Sequence, residues 1–180
     1  MESTRAIVLR KTRLTETSLI VTWLTETAGR IKTVAKGARR GKSAFAGHID
    51  LFYLCDITVV RSKRGDLHTL TEVRLVEPFS NIRTDYTKLL FAAYAAGLAE
   101  WVTEPDHPAP ELFDLVRRAL GFLEYNRPDR KTLQFLEMEV CRFSGITPPS
   151  GKSEHASREL LHHFGKLPES REAFLKTLKL

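Results

Sequence analysis

Apolar and polar positions alternate in five short segments of the first 80 residues, which is the pattern of β-strands. The turn residues Ala28-Gly29 and Lys63-Arg64-Gly65-Asp66 separate two pairs of these segments and predict hairpin connections. Five short strands within 80 residues indicate a small closed barrel of the OB type. Closure of the barrel removes exposed strand edges. The predicted strands are residues 5–14, 18–24, 30–35, 53–61 and 67–76.

From residue 84 onward the apolar positions follow a helical period instead. The segment 86–103 is apolar nearly all round, which indicates a helix buried on several sides. Pro110 suits the first turn of a second helix, and Gly145 suits the end of a third. The fold class is therefore α+β, with a barrel domain at 1–80 and a helical domain at 81–180. The predicted helices are residues 86–103, 110–123, 129–144, 153–164 and 168–178.

The net charge of +6 is confined to the barrel region. Residues 1–80 carry 14 Lys and Arg against 8 Asp and Glu, whereas residues 81–180 carry 14 of each class. An anionic partner for the barrel follows from this asymmetry. The longest apolar run, Leu89 to Ala99, is too short for a membrane span, and no apolar signal region opens the chain, so we expect a cytoplasmic protein. Cys55 and Cys141 lie in apolar stretches and are expected to be buried.

A segment around two glycines, Gly37 and Gly41, concentrates the cations that suit a phosphate chain. Residues 30–43 contain six basic residues and no acidic one, and the glycines allow close backbone approach. A second basic cluster follows the fourth predicted strand, and two such loops flank one groove in a barrel of this size. A solvated basic loop without a partner is the alternative, but two clusters favour binding. The candidate contacts are Arg30, Lys32, Lys36, Arg39, Arg40, Lys42, Arg61, Lys63 and Arg64.

Stacking and catalytic groups are sparse by comparison. The aromatic residues available to stack on bases are Trp23, Phe45, Phe52 and Tyr53, and the barrel core is the favoured place for them. Gly41-Lys42-Ser43 lacks the first glycine of a nucleotide-binding loop. A hydrolase would have to use His155, His162 and His163 with Glu154 and Glu159, and a short polar helix normally holds such histidines in solvent. We therefore predict a protein without enzymatic activity, cofactor or metal.

Several blocks resemble the RecO family of bacterial recombination mediators over about residues 1–149. They are Lys36-Gly37-Ala38-Arg39-Arg40 with Ser43, Asp50-Leu51-Phe52, Leu70-Thr71-Glu72-Val73, Glu77-Pro78-Phe79 and Leu133 to Gly145. The resemblance implies an OB fold followed by a helical domain, binding to single- and double-stranded DNA, and annealing of complementary strands. It also implies recombinase loading, association with the nucleoid, and partnership with RecR and the single-stranded-DNA-binding protein.

The chain departs from the family pattern after the third predicted helix. Many members carry a four-cysteine zinc site after the turn matched by Gly145 to Pro149, but no cysteine follows Cys141 here, so we predict no zinc. The chain also ends early for the family, which leaves open the partner contacts made by the later part of the family domain.

The resulting hypothesis is a DNA-repair mediator that binds DNA through phosphate contacts with little sequence preference. An RNA-binding OB protein of translation or ribosome assembly would use the same groove, and equal affinity for RNA and DNA without annealing would favour it. Basic residues of the helical domain are the expected contacts for an acidic partner tail, with solvated helix faces as the alternative. They are Arg117, Arg118, Arg127, Arg130 and Lys131.

Overall fold

A computed structural model describes residues 1–146 and 155–179 of the protein. These residues form two compact units. The first contains Met1–Pro78 together with Thr103–Phe113, and the second contains Phe79–Val102 and the described residues from Asp114 onward. A short segment between the first two helices thus clusters with the barrel.

Five strands close the barrel of the first unit in the order β1-β2-β3-β5-β4. All neighbouring pairs are antiparallel except β3 with β5, which is parallel. This arrangement confirms the predicted five-stranded OB-type barrel. The strands are β1 (Glu2–Arg13), β2 (Leu19–Thr25), β3 (Gly29–Ala35), β4 (Leu54–Val60) and β5 (Leu67–Glu77).

The barrel interior is filled by aliphatic side chains around Trp23, which is completely buried. The indole Nε1 of Trp23 donates a hydrogen bond to Thr33 Oγ1 at 2.8 Å, so the one polar atom of this large side chain is satisfied. On β3 the buried residues alternate with partly exposed ones. One face of this strand therefore belongs to the core and the other is available for contacts.

The second unit is helical, as the period of its apolar residues predicted. A short 3₁₀ helix, Ser80–Thr84, precedes five α-helices, of which α2 starts within the segment that clusters with the barrel. The predicted start of the fourth helix at residues 153 and 154 lies outside the described residues. The helices are α1 (Tyr86–Val102), α2 (Pro110–Tyr125), α3 (Arg130–Phe143), α4 (Ala156–Phe164) and α5 (Ser170–Thr177).

A buried polar cluster connects three of these helices. Tyr94 on α1 donates to Glu137 Oε1 on α3 at 2.8 Å, and Arg171 Nε on α5 donates to the same oxygen at 2.6 Å. Only 1% of the Glu137 side chain is exposed. Burial, followed by the charge of Glu137, raises the pKa of Tyr94, so the phenol remains a hydrogen-bond donor.

Both cysteines are buried, free thiols, as their apolar surroundings predicted. Burial raises the pKa of Cys55 to about 12 and that of Cys141 to about 11. Neither is a thiolate near neutral pH. Within residues 1–146 and 155–179, no helix has the length and apolar character needed to cross a bilayer.

Candidate nucleic-acid interface

The β3–β4 loop, residues 36–53, carries four of the nine predicted phosphate contacts and lies against the β1–β2 loop, residues 14–18. Arg39 makes this connection, because its backbone N–H donates to Thr17 O at 3.0 Å. Its guanidinium Nη1 donates to Thr15 O at 3.3 Å and Glu16 O at 2.9 Å. OB folds bind oligonucleotides beside the β1–β2 loop, so Arg39 holds the basic loop next to that region.

The other cations of the β3–β4 loop extend into solvent. Lys36, Arg40 and Lys42 are exposed, and within the described part of the chain no hydrogen bond or ion pair engages their side chains. Gly37 allows the turn between them, since its φ of 70° lies in the left-handed region that favours glycine. Three exposed cationic side chains next to a tight turn are suited to contact the phosphates of a nucleic-acid backbone.

Strand β3 extends this charge along the outer barrel surface. Lys32 is one of the partly exposed residues that alternate with buried ones on this strand, and Lys36 follows directly after its last residue. Lys32 is 42% exposed and lies 3.9 Å from Asp66, a distance at which two exposed charges interact weakly. Arg30 is half-buried, and its Nε donates to Thr103 O at 3.1 Å.

The β4–β5 loop, residues 61–66, lies beside β3 because Lys32 pairs with Leu67 at the start of β5. Lys63 and Arg64 are exposed, and the structure shows no side-chain partner for them among the described residues. Arg61 is different, because its Nε donates to Glu2 at 2.8 Å and its Nη1 donates to Asp106. Burial alone would lower the pKa of Arg61, but the bonds and charges of Glu2 and Asp106 raise it.

Strand register also brings Arg10, which was absent from the predicted contacts, onto the outer face. Arg10 on β1 is opposite Thr22 on β2, and Thr22 is opposite Lys32 on β3, so the three residues form one cross-strand row. A β-bulge between Val8 and Arg10 reverses the side to which later β1 residues point. Uninterrupted alternation along β1 would place Arg10 on the same face as Ala6 and Val8, so the sequence alone gives no signal for its outward position.

The four aromatic residues that were available for stacking lie in or against the interior of the first unit, which the sequence favoured. Trp23 and Phe52 are buried, and the half-buried Phe45 and Tyr53 pack against the core. Phe52 has a positive φ of 69°, which is uncommon for an aromatic residue. The candidate contact surface on the basic loops therefore consists mainly of charged side chains.

The helical unit contains an apolar groove of about 400 Å³ that two of the candidate partner-binding residues line. Phe122 is 38% exposed and Phe135 is 54% exposed, and both line the groove. Two of the predicted cations, Arg118 and Lys131, also line it. The remaining lining residues are Phe91, Leu115, Ala119, Thr132 and Leu136.

The other predicted cations of this unit have different positions. Arg117 Nη2 and Arg118 Nε donate to Asp114 at 2.6 and 2.7 Å. The hydrogen bond from Arg117 is the largest of the interactions that lower the pKa of Asp114. Arg127 donates to Thr87 Oγ1 at 3.0 Å near the start of α1. Arg130 is exposed on the first turn of α3 and does not line the groove.

The residues considered for a hydrolase do not form a metal site within the described residues. His162 and His163 are exposed in the last turn of α4, and Glu154 lies outside the described residues. No group of three His, Cys, Asp or Glu side chains in residues 1–146 and 155–179 is arranged to hold a metal ion. The turn in which family members carry zinc ligands falls largely on residues 147–152, which are also outside that part of the chain.

Two family models match the chain on either side of residue 80. The model described as "Recombination protein O N terminal" matches residues 1–79, and the model described as "Recombination protein O C terminal" matches residues 83–165. Together they account for the barrel strands and for most of the helical region.

Curated relatives named "DNA repair protein RecO" resemble most of the chain. The protein of Rhodopirellula baltica is 36% identical over 154 residues, covering 86% of this chain and 57% of that protein. That of Alkaliphilus metalliredigens is 32% identical over 146 residues, covering 81% and 58%. That of Anaeromyxobacter dehalogenans is 33% identical over 142 residues, covering 79% and 56%. The chain thus spans little more than half the length of these relatives.

Proposed function

The chain belongs to the RecO family, and we propose on that basis that it is a DNA repair and homologous recombination mediator. It binds single- and double-stranded DNA through the basic barrel surface and promotes annealing and recombinase loading without covalent chemistry. The observation that carries this proposal is the group of exposed, unengaged cations on the β3–β4 and β4–β5 loops, on either side of Lys32. The names of the relatives, "DNA repair protein RecO", support the DNA-repair role.

Electrostatics explains how such a surface would anneal DNA. Each phosphate neutralised by a Lys or Arg releases condensed counterions, which favours binding at low salt. Two strands coated in this way repel one another less, and base pairing then supplies the driving force for annealing. Trp23, Phe45, Phe52 and Tyr53 are buried or packed against the core, which favours contacts to phosphates over stacking on bases. Phosphate contacts carry little sequence preference.

The helical unit supplies a second surface, which we assign to an acidic protein tail. An apolar groove with Arg118 and Lys131 in its lining fits a short peptide that combines an apolar anchor with carboxylates. The single-stranded-DNA-binding protein is the proposed owner of that tail. RecR is the other proposed partner, and a cytoplasmic location at the nucleoid stays a prediction.

The test is single-stranded DNA binding and strand annealing measured against salt, with matched charge-removal variants. The first is the triple variant Lys36→Ala, Arg40→Ala, Lys42→Ala, which leaves the Arg39 connection intact. We expect it to lose about 1 to 3 units of the slope of log K against log salt and most of the annealing rate. The control Arg158→Ala, Lys176→Ala, Lys179→Ala removes three exposed cations from the helical unit and should retain the wild-type slope.

Equal losses in both triple variants would contradict the assignment to the β3–β4 loop. The same titrations with RNA of matched sequence test the alternative function. Equal affinity for RNA and DNA, with no annealing by the wild-type protein, would favour an RNA-binding OB protein instead.

A further inference from the structure

The segment Thr103–Phe113, here called the strap, is fixed closely against the barrel within the first unit. The backbone N–H of Asp106 donates to Arg30 O at 2.9 Å, and Arg30 also forms an isolated parallel bridge with Pro105. A Cβ atom on Gly29 would come within 1.7 Å of His107 O, so only glycine permits this approach. The strap thus holds Asp106 next to the barrel surface.

The carboxylate of Asp106 accepts hydrogen bonds from two side chains of the β4–β5 region. Its Oδ1 contacts Arg61 Nη1 and lies 3.1 Å from His68 Nε2. The orientation of the His68 ring is determined by its other nitrogen, because Ser62 N donates to Nδ1 at 3.1 Å. In the neutral ring the hydrogen is then on Nε2, which lies 3.1 Å from Asp106 Oδ1 and 2.9 Å from Arg61 Nη1. Two donors therefore converge on one anionic oxygen.

His68, one of the two donors, is buried in the barrel, whereas the Asp106 carboxylate that it contacts is partly exposed at the surface. The His68 side chain is only 4% exposed, whereas that of Asp106 is 37% exposed. Glu2 holds Arg61 from the other side through Nε, so the guanidinium keeps its orientation when Asp106 is removed. Asp106 also has a φ of 56°, a conformation that L-residues other than Asn and Asp seldom adopt.

We propose that Arg61 and His68 form a binding site for a single phosphate of the nucleic-acid backbone, and that the Asp106 carboxylate occupies this site when DNA is absent. Carboxylate and phosphate oxygens accept bonds from the same donors, and an Arg donates two such bonds at once. The site lies in the loop that also carries the exposed Lys63 and Arg64. The inference rests on the proposed function, since it requires that the barrel binds DNA.

The decisive variant is Asp106→Asn, which removes the competing charge and keeps a residue that tolerates a positive φ. We expect the log-log salt slope for single-stranded DNA to become steeper by about 0.7, equivalent to one added phosphate contact. Affinity at low salt should rise several-fold. In the double variant Asp106→Asn, Arg61→Gln this gain should disappear, because the phosphate ligand is then missing. Asp106→Gly provides a second way to remove the carboxylate if the asparagine variant unfolds.

The matched control is Glu26→Gln, which removes one exposed carboxylate from the turn between β2 and β3 of the same barrel. It should leave the slope unchanged. A slope for Asp106→Asn equal to that of the wild type, or an equal gain from Glu26→Gln, would overturn the inference while leaving DNA binding by the barrel intact. Failure of the wild-type protein to bind DNA would overturn the proposed function together with this site.

Discussion

Two neighbouring arginines of the β3–β4 loop have different roles, although the sequence presents them as equivalent. The guanidinium of Arg39 donates to two carbonyl oxygens of the β1–β2 loop, whereas the side chain of Arg40 is exposed and unengaged within the described residues. Arg39 therefore connects two loops, and Arg40 is available to a ligand. Substitution of Arg39 should therefore reduce stability, whereas substitution of Arg40 should reduce ligand binding.

We expect Arg39→Ala to lower the free energy of unfolding by about 1 kcal/mol, because it leaves the carbonyls of Thr15 and Glu16 without their charged donor. Arg40→Ala should change it by less than about 0.5 kcal/mol, as is usual for exposed sites. Chemical denaturation followed by circular dichroism measures both. Equal stability of the two variants would contradict the connecting role of Arg39.

At the residue scale the sequence predicted where the positive charge lies, but not which cations are engaged in ion pairs or hydrogen bonds. The glycines and the excess of Lys and Arg in residues 30–43 are visible in the sequence, and most of these residues are exposed as expected. The partners of Arg61 are Glu2 and Asp106, which are 59 and 45 residues away along the chain. No local pattern reports contacts over such separations, so ion pairs of this kind require the fold.

At the scale of elements, α5 is attached to the helical unit by buried contacts that include Glu137. The carboxylate accepts from Tyr94 on α1 and from Arg171 on α5, and the Phe91 and Phe174 rings pack edge to face 5.4 Å apart. Gly97 lies against Pro168, where a Cβ atom would come within 2.9 Å of the proline ring. These contacts give a short helix a defined position on α1.

We expect Glu137→Gln to destabilise the helical unit by about 3 kcal/mol, because Arg171 then keeps its charge in a buried place without a counter-ion. The matched control is Glu139→Gln on the same helix. Glu139 pairs with Arg142, whose side chain is 71% exposed, so this change should cost less than about 1 kcal/mol. Hydrogen exchange across α5 would locate the effect, and a similar cost for both variants would mean that the buried cluster contributes little.

The elements themselves were largely predictable, since every strand and helix begins or ends within a few residues of its predicted bounds where the structure describes it. The alternation is regular on β3, where buried and partly exposed residues follow one another, and Pro and Gly mark the helix ends. The strap was not predictable in the same way. Its single bridge to Arg30 depends on a tertiary approach at Gly29, and three prolines nearby indicate only an irregular segment.

At the scale of the whole molecule, charge and apolar surface are divided between the two units. The excess of Lys and Arg lies in residues 1–80, and the apolar groove with exposed phenylalanines belongs to the helical unit. The proposed mediator function requires binding to DNA and to a DNA-bound protein together, and two chemically different surfaces would allow this without competition. We therefore expect each binding activity to be lost separately.

The groove variant Phe135→Ala, Lys131→Ala tests this separation. It should weaken binding of the acidic tail peptide of the single-stranded-DNA-binding protein at least tenfold, about 1.4 kcal/mol, because it removes an exposed aromatic contact and a cation. Its DNA affinity and salt slope should equal those of the wild type. The loop variant Lys36→Ala, Arg40→Ala, Lys42→Ala should show the opposite pattern. Fluorescence anisotropy with labelled peptide and labelled DNA measures all four combinations, and loss of both activities in either variant would indicate a single shared surface.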